Sequence, residues 1–376
     1  MRIFLVTGEL SGDMHGARLA ATIRQRYPQA ELHGVGGPFM RDAGVELLAD
    51  SAHWGAIGIP EALRKVPALL CELVRLIRYL RAHPPDVLVP IDFGAFNVRL
   101  LRGLRGSGIR SVYYIPPGCW SRTRAPGELP WLVDAIATPF PWSAERLRSA
   151  GGPARIEWVG HPLLEYSTLA TPAAAARERL GISPDRPVVA LLPGSRRAEI
   201  RYLMEPFWAA VARLTPRPLC LVTVAPNVQG AREFEQVPSG VEVRWLDGLD
   251  YSLLPAATAA CVASGTATLE LTCLGIPMVV AYRGAWATWL QYRLVARGGR
   301  IRHVALPNIL ADAPVVPEFL QEAAHPAALA AALAPLLGES SERRAQLAAL
   351  TALRAALGDG QTTVRTAELI AAVAGM

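Results

Sequence analysis

The chain has 376 residues, 51% of them hydrophobic and 19% charged, which excludes general disorder and is enough for two or three domains. Five cysteines exclude a disulfide scaffold and fit a reducing cytoplasm. The net charge of +6, carried by arginine apart from Lys65, reads mostly as the codon bias of a GC-rich genome; it would still attract phosphates, nucleic acid or an anionic membrane surface, but no segment carries the signature of a nucleic-acid module and no nucleic-acid partner is expected.

Mean hydropathy is high at +0.24. Yet no uncharged apolar run reaches the roughly 18 residues that a membrane span needs. Residues 3–6 read as a buried strand rather than a signal peptide, because Glu9 and Asp13 follow at once. Cys71, Cys220, Cys261 and Cys273 lie in apolar runs and read as buried thiols.

In chain order, residues 2–7 form a first strand, and a helix is expected from about Met14 to Tyr27. Between them, Gly8-Glu9-Leu10-Ser11-Gly12-Asp13 is a glycine-bracketed turn. Its two carboxylates suit sugar hydroxyls, or Ser11 or Asp13 caps the helix. Strands follow at residues 31–35, 86–91 and 111–115. Between the first two, residues 63–80 read as an amphipathic helix with a wide apolar face, a mostly positive polar face and Pro67 inside. Such a helix suits core packing on one side and an anionic bilayer surface on the other.

Asp92 stands directly after the strand at residues 86–91 in apolar surroundings, which makes it either a general base with a raised pKa or an Asx-turn or N-cap residue. His161, in Gly160-His161-Pro162, reads as a loop histidine with a structural hydrogen bond. Residues 169–176 are rich in proline and alanine and read as a linker or a helix start.

The second half repeats the alternation, with strands at residues 188–192, 219–224, 241–245, 259–263 and 277–282. Pro193-Gly194-Ser195-Arg196 follows the first of these and opens a helix. Its backbone N–H groups, the Ser195 hydroxyl and the Arg196 guanidinium suit a phosphate. Ser264-Gly265-Thr266-Ala267-Thr268-Leu269-Glu270 also joins a strand to a helix. Thr266 either caps that helix or helps hold a second phosphate, and Glu270 either reaches a ribose diol or complements the helix dipole. The pair points to a nucleotide diphosphate, while a Walker lysine and a GxGxxG after the first strand are both missing. A further segment carries Trp286, Trp289 and Tyr292 beside Arg293, Arg297, Arg300 and Arg302, and suits lipid contact or core packing. The histidines and cysteines show no metal spacing.

With these motifs in order, the chain resembles the lipid-A-disaccharide synthases. The markers are the Gly8–Asp13 turn, Gly34-Val35-Gly36-Gly37-Pro38, Gly58-Ile59-Pro60-Glu61, Pro85-Asp86-Val87 with Ile91-Asp92, Gly160-His161-Pro162, Leu192-Pro193-Gly194-Ser195-Arg196, the 264–270 motif, Tyr282-Arg283 and Leu306-Pro307-Asn308. The resemblance implies an α/β, GT-B type fold: two Rossmann-like, doubly wound domains facing a central cleft. Residues 1–168 form the acceptor side, 169–345 the UDP-sugar side, and 346–376 are C-terminal helices that pack back on the first domain.

It also implies an inverting glycosyltransferase that joins UDP-2,3-diacylglucosamine to 2,3-diacylglucosamine 1-phosphate and releases UDP. In that reading Asp92, Arg196 and Asn308 are catalytic. Ser195, Arg196, Gly265, Thr266 and Glu270 hold the UDP, and Glu9, Ser11, Asp13 and Trp120 lie on the acceptor side. No metal or cofactor is needed, and the enzyme sits peripherally on the inner face of the cytoplasmic membrane. Two segments depart from the family pattern: Ala95 stands where a carboxylate is usual, and residues 116–122 read Pro-Pro-Gly-Cys-Trp-Ser-Arg in place of Ser-Pro-Ser-x-Trp-Ala-Trp. The alternatives are a paralogue with another acceptor, a UDP-N-acetylglucosamine 2-epimerase-like enzyme, or a non-catalytic nucleotide-sugar-binding relative.

Overall fold

The computed structural model describes residues 1–51, 54, 59–122, 125, 127–168, 170–225, 228, 230–234, 236–248, 250–284 and 302–375. Gly58 and most of the 286–302 aromatic–arginine segment lie outside these residues. The chain divides into two units, residues 1–162 with 357–376, and residues 163–356.

The first unit alternates strands and helices: β1 (Arg2–Val6), α1 (Leu10–Arg26), β2 (Glu31–Gly36), α2 (Pro38–Asp42), β3 (Glu46–Asp50), α3 (Ile59–Ala82), β4 (Val87–Pro90), α4 (Gly94–Gly103), β5 (Arg110–Tyr114), β6 (Ala135–Thr138), α5 (Pro141–Ser149) and β7 (Arg155–Trp158). The strands form one seven-stranded sheet in the order β3-β2-β1-β4-β5-β6-β7. The pairs are parallel. A parallel sheet is covered on both faces, so its central strands are apolar throughout, and Val87–Pro90 is buried at every position.

Helix α3 shows how the apolar periodicity is used. Leu73, Leu76 and Leu80 enter the core beside Leu100, Leu101 and Leu104. On its other side Val66, Leu70 and Val74 are 42%, 47% and 46% exposed, a second apolar row one turn apart that faces outward. Cys71 lies on this outer side and is exposed, contrary to the expectation of a buried thiol, because the helix is apolar on more than its core-facing stripe. Cys119, Cys220, Cys261 and Cys273 are buried.

The second unit contains α6 (Leu163–Ser167), α7 (Ala173–Arg179), β8 (Val188–Leu192), α8 (Arg197–Val211), β9 (Leu219–Val224), β10 (Val243–Asp247), β11 (Ala259–Ala263), α9 (Thr266–Leu274), β12 (Met278–Tyr282) and β13 (Glu318–Leu320). Its six-stranded sheet runs β10-β9-β8-β11-β12-β13. The period-2 alternation of a strand divides its core. Val189 and Leu191 pack with Phe207 and Trp208, whereas Val188, Ala190 and Leu192 pack with Leu271 on the other face. The proline- and alanine-rich stretch belongs to this unit, its helix beginning at Ala173.

The chain then returns to the first unit through the helix Thr362–Ala374. There the Thr363 hydroxyl meets that of Thr22 at 2.8 Å, Glu368 pairs with Arg26 at 2.6 Å, and the Arg110 guanidinium donates to the Val373 carbonyl at 2.8 Å.

In both sheets the strand order reverses beside the first strand of the unit, between β1 and β4 and between β8 and β11. A doubly wound sheet opens a crevice at the carboxyl ends of such a pair, because the flanking helices leave on opposite faces. The loops after these four strands carry the motifs singled out above.

Candidate functional site

In the first unit the loops after β1 and β4 meet. Helix α1 starts at Leu10 with Glu9 as its N-cap, four residues before the expected Met14, so the glycine-bracketed segment is mostly helix. Gly12 and Gly16 explain this. A Cβ at Gly12 would come within 2.0 Å of the Thr7 hydroxyl, and one at Gly16 within 2.7 Å of the Met40 sulfur. The glycines let α1 lie directly on the sheet.

Asp13, expected to face sugar hydroxyls, is turned elsewhere. Its carboxylate is buried and accepts N–H bonds from Gly37 at 2.7 Å, Phe39 at 2.9 Å and Met40 at 3.1 Å. Burial raises its pKa, and those three N–H groups pull against the rise. Asp13 therefore caps α2, and a Cβ at Gly37 would sit 2.6 Å from its Oδ2. The Gly8–Asp13 and Gly34–Pro38 motifs are two sides of one joint. Ser11 lies in the first turn of α1, half-buried.

Asp92 holds a left-handed backbone with φ of 44°, and Phe93 follows at 45°. Side chains other than glycine rarely adopt this conformation, and it persists only when its surroundings fix it. Here they do. The Asp92 carbonyl accepts from the Tyr113 hydroxyl at 2.7 Å and from Asn97 Nδ2 at 2.9 Å, and its N–H donates to the Tyr114 carbonyl at 3.0 Å. Tyr113 and Asn97 are fully buried. With its main chain pinned, Asp92 carries its carboxyl into a poorly hydrated place. Burial, reinforced by the nearby Glu9 carboxylate and opposed by the Phe93 N–H, pushes its pKa up to about 6. Asp92 and Glu9 are thus brought together.

Trp120 is 43% exposed on the loop after β5. That loop is held from α5: Trp142 Nε1 donates to the Cys119 carbonyl at 3.1 Å, and Arg146 donates to the carbonyls of Gly118 and Ser121. Arg122, one of the departures from the family pattern, lies 4.2 Å from the centre of the Trp142 ring, a cation–π contact. Ala95 is exposed in the first turn of α4. His161 is buried against Phe140 and His15, and burial, then His15, lowers its pKa to about 3.

In the second unit, Gly194 has φ of 109° and Arg196 is the N-cap of α8. Glu199, in the first turn of that helix, folds back over the turn. Its Oε2 accepts from the Ser195 N–H and its Oε1 pairs with Arg196 Nη1, both at 3.1 Å. After β11, α9 begins at the exposed Thr266, with Gly265 as its N-cap and no side-chain cap. The expected cap by Thr266 is absent, because Thr266 is itself the first residue of the helix and Gly265 takes the cap position; Thr268 donates to the Gly265 carbonyl at 2.7 Å.

Glu270, one turn in, is buried, with Oε2 lacking a hydrogen-bond partner. Burial raises its pKa to about 7, and the Tyr251 phenol partly offsets the rise. Asn308 is buried, and its amide bonds the main chain of Val316 in both directions at 2.8 Å. That pairing fastens the 308–316 segment.

Two further residues at the carboxyl ends of this sheet were given no role in the sequence reading. Tyr282 ends β12 close enough to Glu199 and Arg196 for both to act on its phenol. Gln321 has φ of 51°, accepts from the Gly284 N–H at 3.3 Å and leaves its buried Nε2 without a partner. The Tyr282-Arg283 marker pointed near them. Gln321 has no sequence signal, since a strained backbone on an ordinary glutamine leaves no mark in composition. Among the described residues no group of three or more His, Cys, Asp or Glu is placed to hold a metal ion.

A sequence model of the family described as Lipid-A-disaccharide synthetase matches residues 3–373. The chain belongs to the lipid-A-disaccharide synthase family. A lipid-A-disaccharide synthase of Pseudomonas aeruginosa (strain UCBPP-PA14) is 39% identical over 349 residues, 91% of each chain. One from Anaeromyxobacter sp. (strain K) is 36% identical over 378 residues, covering 99% of this chain and 97% of its own.

Among solved structures, Acinetobacter baumannii MurG aligns with a TM-score of 0.61 at 13% identity over 99% of both chains. The calicheamicin glycosyltransferase CalG4 aligns with a TM-score of 0.62 at 15% identity over 100% of this chain and 98% of its own. A putative UDP-N-acetylglucosamine 2-epimerase from Listeria monocytogenes aligns with a TM-score of 0.65 at 11% identity over 97% of this chain and 94% of its own. These three share the fold, which is the GT-B type. Membership in the lipid-A-disaccharide synthase family makes the chain a glycosyltransferase of lipid A synthesis, ahead of the epimerase-like and non-catalytic alternatives. Making a disaccharide brings with it a sugar donor and a sugar acceptor.

Proposed function

We propose that this member of the family joins UDP-2,3-diacylglucosamine to 2,3-diacylglucosamine 1-phosphate by an inverting transfer, with Asp92 as the base. The observation that carries this reading is Asp92 itself: a carboxylate at a switch-point strand end, its backbone pinned, its pKa raised to about 6. A base in that range is ionised at neutral pH yet basic enough to take a proton from the acceptor hydroxyl as the new bond forms. The transition state develops oxocarbenium character, as in glycosidases. UDP leaves with growing negative charge.

Ser195, Arg196 and the exposed first turn of α9 at Gly265 and Thr266 supply N–H and guanidinium donors for that charge, with no metal ion. The buried Oε2 of Glu270 takes the ribose hydroxyls, and the buried Nε2 of Gln321 is a further donor in the same unit. Asn308 serves by holding its segment against Val316. Glu9 and Trp120 lie on the acceptor side.

Incubating the protein with both acylated substrates and reading the products by mass spectrometry tests the proposal. The disaccharide 1-phosphate and UDP should form together. UDP binding without disaccharide would instead favour a different acceptor, as the changes at Ala95 and residues 116–122 would allow.

The outer row Val66, Leu70 and Val74 on α3, flanked by Arg75, Arg78 and Arg81, supports peripheral attachment to an anionic membrane surface on the cytoplasmic face. Among the described residues no helix is long and apolar enough to cross a membrane. Co-sedimentation with anionic vesicles should be strong and should weaken with salt. Equal recovery with neutral vesicles and with none would refute the attachment.

A further inference from the structure

The turn after β8 is already engaged by a carboxylate of the chain itself. Glu199 Oε2 takes the Ser195 N–H and Oε1 takes Arg196 Nη1, each at 3.1 Å. The fit is close: a Cβ at Gly194 would come within 2.1 Å of Glu199 Oε2 and 2.9 Å of its Cβ, so the glycine leaves the room that this side chain fills. The Tyr282 phenol lies within the electrostatic reach of both Glu199 and Arg196, and a Cβ at Gly284 would come 3.1 Å from its hydroxyl. A carboxylate and a phosphate present the same chemistry to such a turn: anionic oxygens that accept from a helix-terminal N–H and from a guanidinium fork.

We propose that Glu199 is a built-in competitor of the nucleotide diphosphate, holding the Ser195 N–H and Arg196 when UDP is away and weakening UDP's grip so that the product leaves. The inference rests on the reading above that this turn binds the diphosphate of UDP. Arg196 serves both anions. With the carboxylate on it, the guanidinium is held and pointed; with diphosphate on it, Glu199 becomes a like charge beside the ligand and lowers its affinity.

A purely structural role predicts the opposite sign. A glutamate in the first turn that bonds a preceding N–H is a capping arrangement, and weakening it loosens the turn and the phosphate site with it. Glu199→Gln keeps an acceptor oxygen for the Ser195 N–H and removes only the charge.

Isothermal titration of UDP into the wild-type protein, Glu199→Gln, Glu199→Ala and Arg196→Ala decides the matter, with thermal melts to establish that each variant is folded. Glu199→Gln should bind UDP roughly three- to tenfold more tightly at low salt, the size expected of one like charge near a solvent-exposed site, and the gain should shrink as salt rises. Its UDP product-inhibition constant should fall by the same factor. Glu199→Ala should also bind at least as tightly as wild type if its melt is unchanged. Equal or weaker UDP binding by a folded Glu199→Gln would overturn the proposal. Failure of the underlying reading looks different: UDP affinity that is untouched by Arg196→Ala.

Discussion

At Asp92 the fold and the chemistry pull in opposite directions. A carboxyl whose folded pKa lies near 6 gains protons on folding across the interval from its ordinary value of 3.8 up to 6. Its favourable contribution is complete below the ordinary value and is lost as pH rises through 6, so at neutral pH the ionised side chain is a net cost. Asp92→Asn should therefore raise stability by about 1–3 kcal/mol at pH 7–8. That gain should vanish below about pH 4. The same variant should lose at least roughly two orders of magnitude in kcat. Denaturant titrations at two pH values and a turnover assay check both halves. A variant neither more stable nor slower would remove Asp92 from the base role.

The sequence showed Asp92 as a residue after a strand, in apolar surroundings. The two residues that hold it, Tyr113 and Asn97, could not be singled out by pattern, because one reads as an interior strand tyrosine and the other as a helix polar residue. Their work is done through a carbonyl oxygen, which no side-chain motif records.

Helices and strands were the most legible level, since a parallel sheet writes itself as short apolar runs separated by helical patterns. The least legible were the helix starts. Helix α1 begins inside a glycine-rich segment that reads as loop on propensity, and tertiary contact with Thr7 and Met40 overrides that preference. The same contact redirected Asp13 from the expected acceptor side to the N-terminus of α2, where it satisfies three main-chain N–H groups at once. Asp13→Ala should strip that cap, leave buried donors unpaired and cost about 3 kcal/mol. Activity per folded molecule should change little, because the carboxylate faces Gly37, Phe39 and Met40. Melting curves combined with active-site titration separate the two effects. A stable but inactive Asp13→Ala protein would put Asp13 back on the substrate.

At the scale of the whole chain, the first unit is closed by residues 357–376, which follow the second unit in sequence. The helix Thr362–Ala374 lies against α1 and β5 through Thr363, Glu368 and Val373. It buries Leu369, Ile370 and Ala371. Just before it, the Leu357 carbonyl accepts the His161 N–H at 2.7 Å. Burying three such side chains is worth several kcal/mol, a large share of the roughly 5–15 kcal/mol that a domain has in total.

The second unit, by contrast, is continuous from Leu163 to Ala356 and owes nothing in sequence to the tail. Truncation after Ala356 should therefore damage the units unequally. The first should become sensitive to protease near α1 and lose its cooperative melt, while the second keeps its own melt and its affinity for UDP. Calorimetry with limited proteolysis reads both, and UDP titration of the truncated chain adds the functional side. Concerted loss of both transitions on truncation would mean that the second unit depends on the first for its stability.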